Sequence, residues 1–347
     1  MLTKLKNFFW SFYIKSSPNK YDDKHKGTFS VWRVFTLNLM RPGRILKRLQ
    51  YKQIFRNKKN ILNNFEKKIN NIKLEKEIDS NKFELVKSKL ANLVDDGVAV
   101  IPDYFDISTI DTFKTKYKET IDKTKNFDSQ IPSYSTNNLP LSNDLNLLWL
   151  DNVLINLISA YFNHAVYARN YPELNYTNVP QKKLSHNGSD EKRASDKWHV
   201  DHAVLFNIHI LLEDVDKDGT CMEVMPRTQK LFNYASNYSE NVIKDLKRES
   251  VKCFGKRGTV YMHTGNVIHR LRAVEGSNRL NLHFEFSPGT NILLDVNKIT
   301  KCLSSGFNLE KLSHQNRDIL KAIFPKTLLK GYDVKKESLN PNTFQGI

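Results

Sequence analysis

The chain is poor in cysteine. Cys221, Cys253 and Cys302 are the only three in 347 residues. They are too few and too scattered for a disulfide framework or a thiolate zinc site. A reducing, cytoplasmic setting is the simple expectation. Long apolar runs are missing as well. The stretch 1–14 is far shorter than the roughly 18–20 residues a membrane span needs. Lys15-Ser16-Ser17-Pro18 follows it, without the small-residue cleavage site of a signal peptide. A second aromatic patch at 29–40 is interrupted by Arg33 and is also too short. No internal repeat is visible. No nucleic-acid module is recognisable, which argues against a nucleic-acid partner.

Acidic residues are scarce at one end only. The formal net charge is +17, and residues 1–75 hold 18 Lys/Arg against Asp22, Asp23, Glu66 and Glu75. The remaining chain is nearly balanced. The asymmetry predicts an acidic partner for a basic N-terminal extension. Leu2, Leu5, Phe9 and Phe12 recur at helical spacing among lysines, a composition that can lie on anionic lipid. Peripheral contact with the inner face of a membrane through residues 1–60 is therefore one expectation. A solvated basic helix packed on the rest of the chain, or partial disorder, is the competing one.

What is present, and rare, is Trp198-His199-Val200-Asp201. This is the one His-x-Asp triplet in a chain of ten histidines. Two-residue spacing puts both side chains on one side of an extended segment. Val267-Ile268-His269 supplies a second imidazole from elsewhere in the chain. Two imidazoles and one carboxylate on one side of a divalent ion form the facial triad of non-heme Fe(II) oxygenases. A zinc hydrolase built on the same three groups is disfavoured, because no further general base is apparent. Downstream, residues 279–286 alternate strictly between polar and apolar. This predicts a half-buried strand with Arg279, Asn281, His283 and Glu285 on one face.

These residues carry a resemblance. Trp198-His199-Val200-Asp201, Asp218-Gly219-Thr220 leading to Glu223-Val224-Met225-Pro226, Gly258-Thr259-Val260-Tyr261 before His269, and then Arg279 are similar to the phytanoyl-CoA dioxygenase family of Fe(II)/2-oxoglutarate oxygenases. The resemblance covers roughly 85 to 300. An opening of helix, Asp95-Asp96-Gly97, apolar strand 98–101 and helix supports it independently of the metal residues. It implies a mainly β chain with flanking helices, built on a double-stranded β-helix (jelly-roll, cupin-like) core. It implies that His199, Asp201 and His269 hold Fe(II), and that Arg279 pairs with the distal carboxylate of 2-oxoglutarate through its fork. With O2 as co-reactant, the implied reaction is hydroxylation of a small-molecule, lipid-linked or sugar-linked substrate, with 2-oxoglutarate decarboxylated to succinate. Related halogenases replace the carboxylate with a small residue, so Asp201 favours hydroxylation. One departure is visible. After Pro226 the family continues Gly-Ser-His where this chain has Arg227-Thr228-Gln229, a change expected to bear on substrate-side loops rather than on iron.

Three further residues are candidates for the substrate side: Trp198, Arg169 and Asn207. For Arg169 ordinary surface polarity is the competing reading. If 199–211 is one continuous strand, Asn207 and His209 share a face with the triad. His202, His209, His263 and His283 read as buried histidines satisfied by hydrogen bonds rather than as extra ligands. Helices are expected near 83–93, 108–124, 148–162 and 309–324, with a loop over 126–147 and a substrate-side lid over 172–197. The resulting division is a basic, partly helical extension and linker over 1–80, an oxygenase domain over 81–300, and a C-terminal helix and tail over 301–347 packing on the core. A catalytically inactive jelly roll that docks through its basic extension is the alternative function. The intact triad with Arg279 argues against it.

Overall fold

Apolar side chains at 83, 86, 90 and 93 recur at the helical period, and Ser80–Asp96 is helix α1, which buries Phe83, Val86, Leu90 and Leu93. The helix stops at Gly97, where φ is +80° and a Cβ would lie 2.7 Å from Gln229 Cδ, so a residue without a side chain is required. The computed structural model describes residues 61, 63–67, 80–126, 134–139, 143–169, 172–178, 197–201, 205–230, 237–238, 240–288, 314–320, 332–333 and 338–339. The basic extension over 1–60, most of the 172–197 lid segment and His202 lie outside the described residues.

After α1 come β1 (Val98–Ile101), α2 (Ile107–Lys116), α3 (Lys118–Lys125), β2 (Tyr134–Asn138), α4 (Asn143–Trp149), α5 (Asn152–Phe162), β3 (Tyr167–Ala168) and β4 (Glu173–Asn178). They are followed by β5 (Trp198–His199), β6 (Phe206–Leu211), β7 (Cys221–Met225), β8 (Asn237–Tyr238), α6 (Glu240–Asp245), β9 (Val251–Cys253), β10 (Val260–Thr264), β11 (Ile268–Arg272), β12 (Asn278–Ser287) and α7 (His314–Leu320). The strands form two antiparallel sheets. The large one has seven strands in the order β1-β10-β6-β12-β4-β2, with β3 on β12; the small one has five, β8-β5-β11-β7-β9. This is the expected double-stranded β-helix.

Where the apolar residues go decides where the polar ones must go. The outward face of the large sheet carries Ile208, Ile210, Val260, Met262, Leu280, Leu282, Phe284 and Phe286. They share one buried cluster with Leu90, Leu154, Leu157 and Ile158 of the helices, and with Ile319 and Leu320 of α7. The main core therefore lies between this sheet and its helices. Period-2 alternation then turns Arg279, Asn281, His283 and Glu285 toward the small sheet. Between the sheets a smaller cluster of Val98, Leu211, Met222, Val224, Tyr261 and Val267 fills one part of the space.

Several expectations change in detail. The helix expected over 108–124 is two helices broken at Tyr117, and the one over 148–162 is divided between α4 and α5. At the second break Asp151 accepts hydrogen bonds from Val153 N at 3.0 Å and Leu154 N at 3.1 Å, an N-cap worth about 1 kcal/mol. The expected loop over 126–147 contains β2. Its sequence, Tyr-Ser-Thr-Asn-Asn, has no apolar alternation, and it is the edge strand beside β4. Gly258, in the family-like Gly-Thr-Val-Tyr run, has φ +93° and would place a Cβ 2.1 Å from Phe105 O. Phe105 N also donates to Gly258 O at 3.0 Å, which ties the β1–α2 connection to the strand leading toward His269.

Candidate metal centre

His199 and His269 are a register pair between β5 and β11, with ring centroids 4.3 Å apart. Antiparallel pairing thus places two imidazoles from distant parts of the chain side by side. Asp201 completes the group. Its Oδ1 is 3.7 Å from His199 Nε2 and its Oδ2 is 3.4 Å from His269 Nε2. One ligand atom from each residue lies within 4.8 Å of the others, a spacing that admits a single divalent ion.

The free lone pairs point the right way. His199 Nδ1 is 2.7 Å from Lys197 O, and His269 Nδ1 is 2.9 Å from Val267 O. A carbonyl only accepts, so each Nδ1 carries the proton and each Nε2 presents a lone pair. Burial pushes the His269 imidazole down to about 4, so it is neutral at pH 7, the form that binds metal. Burial alone would raise the Asp201 carboxyl, but the surrounding imidazoles and the Asn207 amide hold it below its ordinary value.

The path from His199 to His209 is not one strand. β5 belongs to the small sheet and β6 to the large one. The crossing pivots on Gly265, whose O accepts from Asp201 N at 2.7 Å and whose N donates to Leu205 O at 2.7 Å. Asn207 on β6 still meets the triad, since its Nδ2 donates to Asp201 Oδ2 at 2.8 Å. Its Oδ1 accepts from His283 Nε2 at 3.1 Å. Asn207 is thereby engaged with Asp201 and His283.

The inward face of the large sheet is a grid of polar side chains. Cross-strand pairing aligns Glu173, His283, His209 and Tyr261 in one row. Thr177 and Arg279 are paired in another. The rings of Tyr261 and His283 lie 4.5 Å and 4.3 Å from that of His209, both nearly parallel to it. Asn281 Nδ2 donates to His209 Nδ1 at 3.1 Å, so the neutral ring carries its proton on Nε2, the distal tip between the sheets. That Nε2 is buried without a partner among the described residues. Arg279 is 2% exposed. Its Nη1 donates to Tyr261 Oη at 3.1 Å, while its Nε has no partner among the described residues. A buried cation and a buried N–H donor left unmatched beside a metal-type triad fit an incoming carboxylate. The donor set thus suits iron together with a dicarboxylate.

The remaining candidates take different places. Burial lowers the His283 imidazole, but Glu173 and Glu285 outweigh it and raise the group above its usual value. Its Nδ1 is 3.5 Å from Glu173 Oε2, and its Nε2 is 3.9 Å from Glu285 Oε1. Arg169 follows β3 and donates its backbone N–H to Glu285 O at 2.7 Å. Trp198 is not brought to the cavity. It alternates with His199 on β5 and packs with Met225, Tyr238, Ile243 and Ile268 on the reverse of the small sheet. His263 is buried, its ring centroid 4.3 Å from that of His269. Sequence reasoning passed over Glu173, which only the pairing of β4 with β12 makes a neighbour of His283.

The Arg227-Thr228-Gln229 turn also differs from expectation. Thr228 Oγ1 accepts from Ile268 N at 2.8 Å and donates to Met225 O at 2.7 Å. Gln229 Nε2 donates to Asp95 O at 3.1 Å, and Arg227 Nε to Asp96 Oδ1 at 3.1 Å. The turn buttresses the strand that carries His269 and ties it to the end of α1.

A family model described as Phytanoyl-CoA dioxygenase (PhyH) matches residues 93–277. No curated protein sequence matches the chain. Among solved structures, the epimerase SnoN, in complex with Fe3+, alpha ketoglutarate and nogalamycin RO, is 14% identical with TM-score 0.47, over 61% of this chain and 86% of that one. EctD from S. alaskensis, with 2-oxoglutarate and 5-hydroxyectoine, is 15% identical with TM-score 0.46, over 62% and 77%. AviO1 from Streptomyces viridochromogenes is 17% identical with TM-score 0.42, over 58% and 93%. These likenesses are distant, and the assignment rests on the family match. That match takes in more than half of the chain, encloses all three triad residues and ends just short of Arg279: the chain belongs to the phytanoyl-CoA dioxygenase family, within the Fe(II)/2-oxoglutarate-dependent oxygenases.

Proposed function

We propose that the protein is an Fe(II)/2-oxoglutarate-dependent dioxygenase that hydroxylates a C–H bond of a small-molecule substrate, with His199, Asp201 and His269 as iron ligands and Arg279 as the anchor for the cosubstrate. The observation that carries this reading is the convergence of three ligand atoms within 4.8 Å. When bound, iron and 2-oxoglutarate supply the oxidation: dioxygen gives one oxygen atom to succinate and one to the new hydroxyl, and carbon dioxide leaves.

The residues of the chain supply position and charge. Lys197 O and Val267 O hold the two imidazoles in the tautomer that leaves Nε2 free. Asn207 fixes the carboxylate of Asp201. Arg279 and the Nε2–H of His209 present buried donors for the cosubstrate's carboxylates, in a setting where such contacts are strong. Asp201 fills the position that a halide would need, which supports hydroxylation over halogenation. Glu173, His283 and Glu285 extend the polar lining past the triad and suit a polar substrate group.

The test is succinate formation from 2-oxoglutarate by the full chain with Fe(II) and a panel of metabolites. His199→Ala, Asp201→Ala and His269→Ala should each abolish it. Turnover that survives any of the three would remove that residue from the centre.

A further inference from the structure

The metal-facing side of the small sheet has a reverse side, and its side chains are organised as closely as the triad. Pairing of β5 with β11 sets His199 opposite His269. The next pair in that antiparallel register is Trp198 opposite Arg270, on the other face. Trp198 also pairs with Tyr238, Arg270 with Glu223, and Glu223 with Lys252. A single row of Tyr238, Trp198, Arg270, Glu223 and Lys252 therefore runs directly behind the two histidines.

The contacts within this row are specific. The Arg270 guanidinium carbon lies 4.3 Å from the centroid of the Trp198 ring, cation–π range. Arg270 Nε donates to Glu223 Oε2 at 2.8 Å, and its Nη1 donates to Glu240 Oε1 at 2.6 Å. Trp198 Nε1 donates to the other oxygen, Glu240 Oε2, at 3.3 Å. Trp198 is 3% exposed, and the Glu223 side chain is also buried. Arg270 is thus held by two carboxylates while it clamps an indole that Glu240 holds from its edge.

The two histidines depend on this row unequally. β11 has five residues, all paired with β7, so His269 sits in a continuous ladder. β5 has two residues and lies between β11 and the equally short β8. Backbone pairing gives His199 little hold, and the side chain before it is the one that Arg270 grips.

We propose that Arg270 is a positioning residue for the metal centre: through Trp198 it fixes β5, and with it His199, in ligating register. The proposal rests on the reading of His199, Asp201 and His269 as the metal ligands. A lysine cannot replace the arginine, because a single ammonium cannot meet Glu223 and Glu240 while covering the ring.

Co(II) titration of the metal-free full chain tests this, with thermal unfolding of each metal-free variant alongside. Arg270→Met and Arg270→Lys should each weaken Co(II) binding by about ten- to a hundredfold, the range for residues that orient metal ligands. Glu240→Gln and Trp198→Phe should weaken it in the same direction by less. They carry the test if Arg270→Met does not fold, since Glu240 is half exposed. In a His199→Ala background Arg270→Met should have no further effect, and in a His269→Ala background it should keep its full effect. A row that merely glued the sheet together would weaken binding equally in both backgrounds, and that result, or unchanged affinity in every variant, overturns the proposal. If His199→Ala itself leaves Co(II) affinity unchanged, the triad falls, and the role of Arg270 falls with it.

Discussion

Asn207 donates its side-chain amide to Asp201 Oδ2 at 2.8 Å, so a hydrogen bond joins the large sheet to the carboxylate that follows β5. The opposite end of the same amide accepts from His283. Removing it leaves Asp201 free to rotate and His283 without that partner. Asn207→Ala should weaken Fe(II) binding by about ten- to a hundredfold, with 2-oxoglutarate turnover recovering at high iron. Wild-type iron affinity in this variant, read by titration, would show that Asp201 needs no such support.

Arg279 is a buried cation whose Nη1 donates to a neutral phenol, Tyr261, and among the described residues its Nε has no partner. Such a group is costly to bury without an anion. Arg279→Met should therefore melt no lower than wild type in the metal-free, cosubstrate-free protein. The same change should raise the KM for 2-oxoglutarate about thirtyfold or more, from the roughly 2–5 kcal/mol at stake when one partner of a buried charge pair is truncated. Arg279→Lys keeps the charge and loses the fork, so an intermediate KM is expected. A variant that melts well below wild type yet keeps its KM would give Arg279 a structural role instead.

The two halves of the site were not equally readable in the sequence. The convergence of His199, Asp201 and His269 was legible because ligand chemistry restricts residue type and spacing. The inward face of β12 was readable because its outward face, Leu280 to Phe286, is uniformly apolar. The continuity of 199–211 was not readable, since nothing in the alternation marks a change of sheet, and the Gly265 pivot is a long-range contact. Trp198, a substrate-side candidate, lies instead on the reverse of the small sheet. Adjacent residues on a strand face opposite ways, and parity alone would have put it on the reverse of the sheet. β2 was invisible because an edge strand can be held by backbone pairing without an apolar face. Arg270 gave no local signal, because its value lies in being opposite Trp198 across a register that only the fold defines.

Thr228 stands where the family pattern departs, and its hydroxyl serves two backbone groups of the small sheet. It accepts from Ile268 N and donates to Met225 O. Thr228→Val keeps the shape and strands a buried N–H beside His269. The expected loss is about 1–3 kcal/mol of stability, read by urea unfolding of the metal-free protein, with weaker Co(II) binding alongside. If stability and Co(II) affinity both match wild type, the turn does not support the metal strand.

Acid should loosen the metal-free fold as soon as the imidazoles begin to titrate. Burial lowers His269 to about 4 against an ordinary 6.5. Burial also drives His209 and His263 well below 6.5. As pH falls through 6.5 the unfolded chain takes up protons at these three positions, while the folded chain does not, so folding stability must fall with pH across that window. For His269 the loss runs at up to about 1.4 kcal/mol per unit of pH below 6.5, and His209 and His263 act in the same direction. His283 works the other way. Its raised value means that it is protonated first in the folded state, so it adds stability below 6.5 that is lost as pH rises through its folded value. Among the imidazoles, three depressed groups against one raised group leave a net loss as pH falls through 6.5, and Glu285, whose carboxyl burial raises, opposes that loss only as it takes up its proton at lower pH. Denaturant titrations of the metal-free protein at pH 7.5 and pH 5 check the sign: a midpoint that stays constant or rises at pH 5 would mean that these imidazoles are not buried as neutral rings. Loading with Co(II) should flatten the slope, because a metal on Nε2 keeps His269 unprotonated until protons displace the ion.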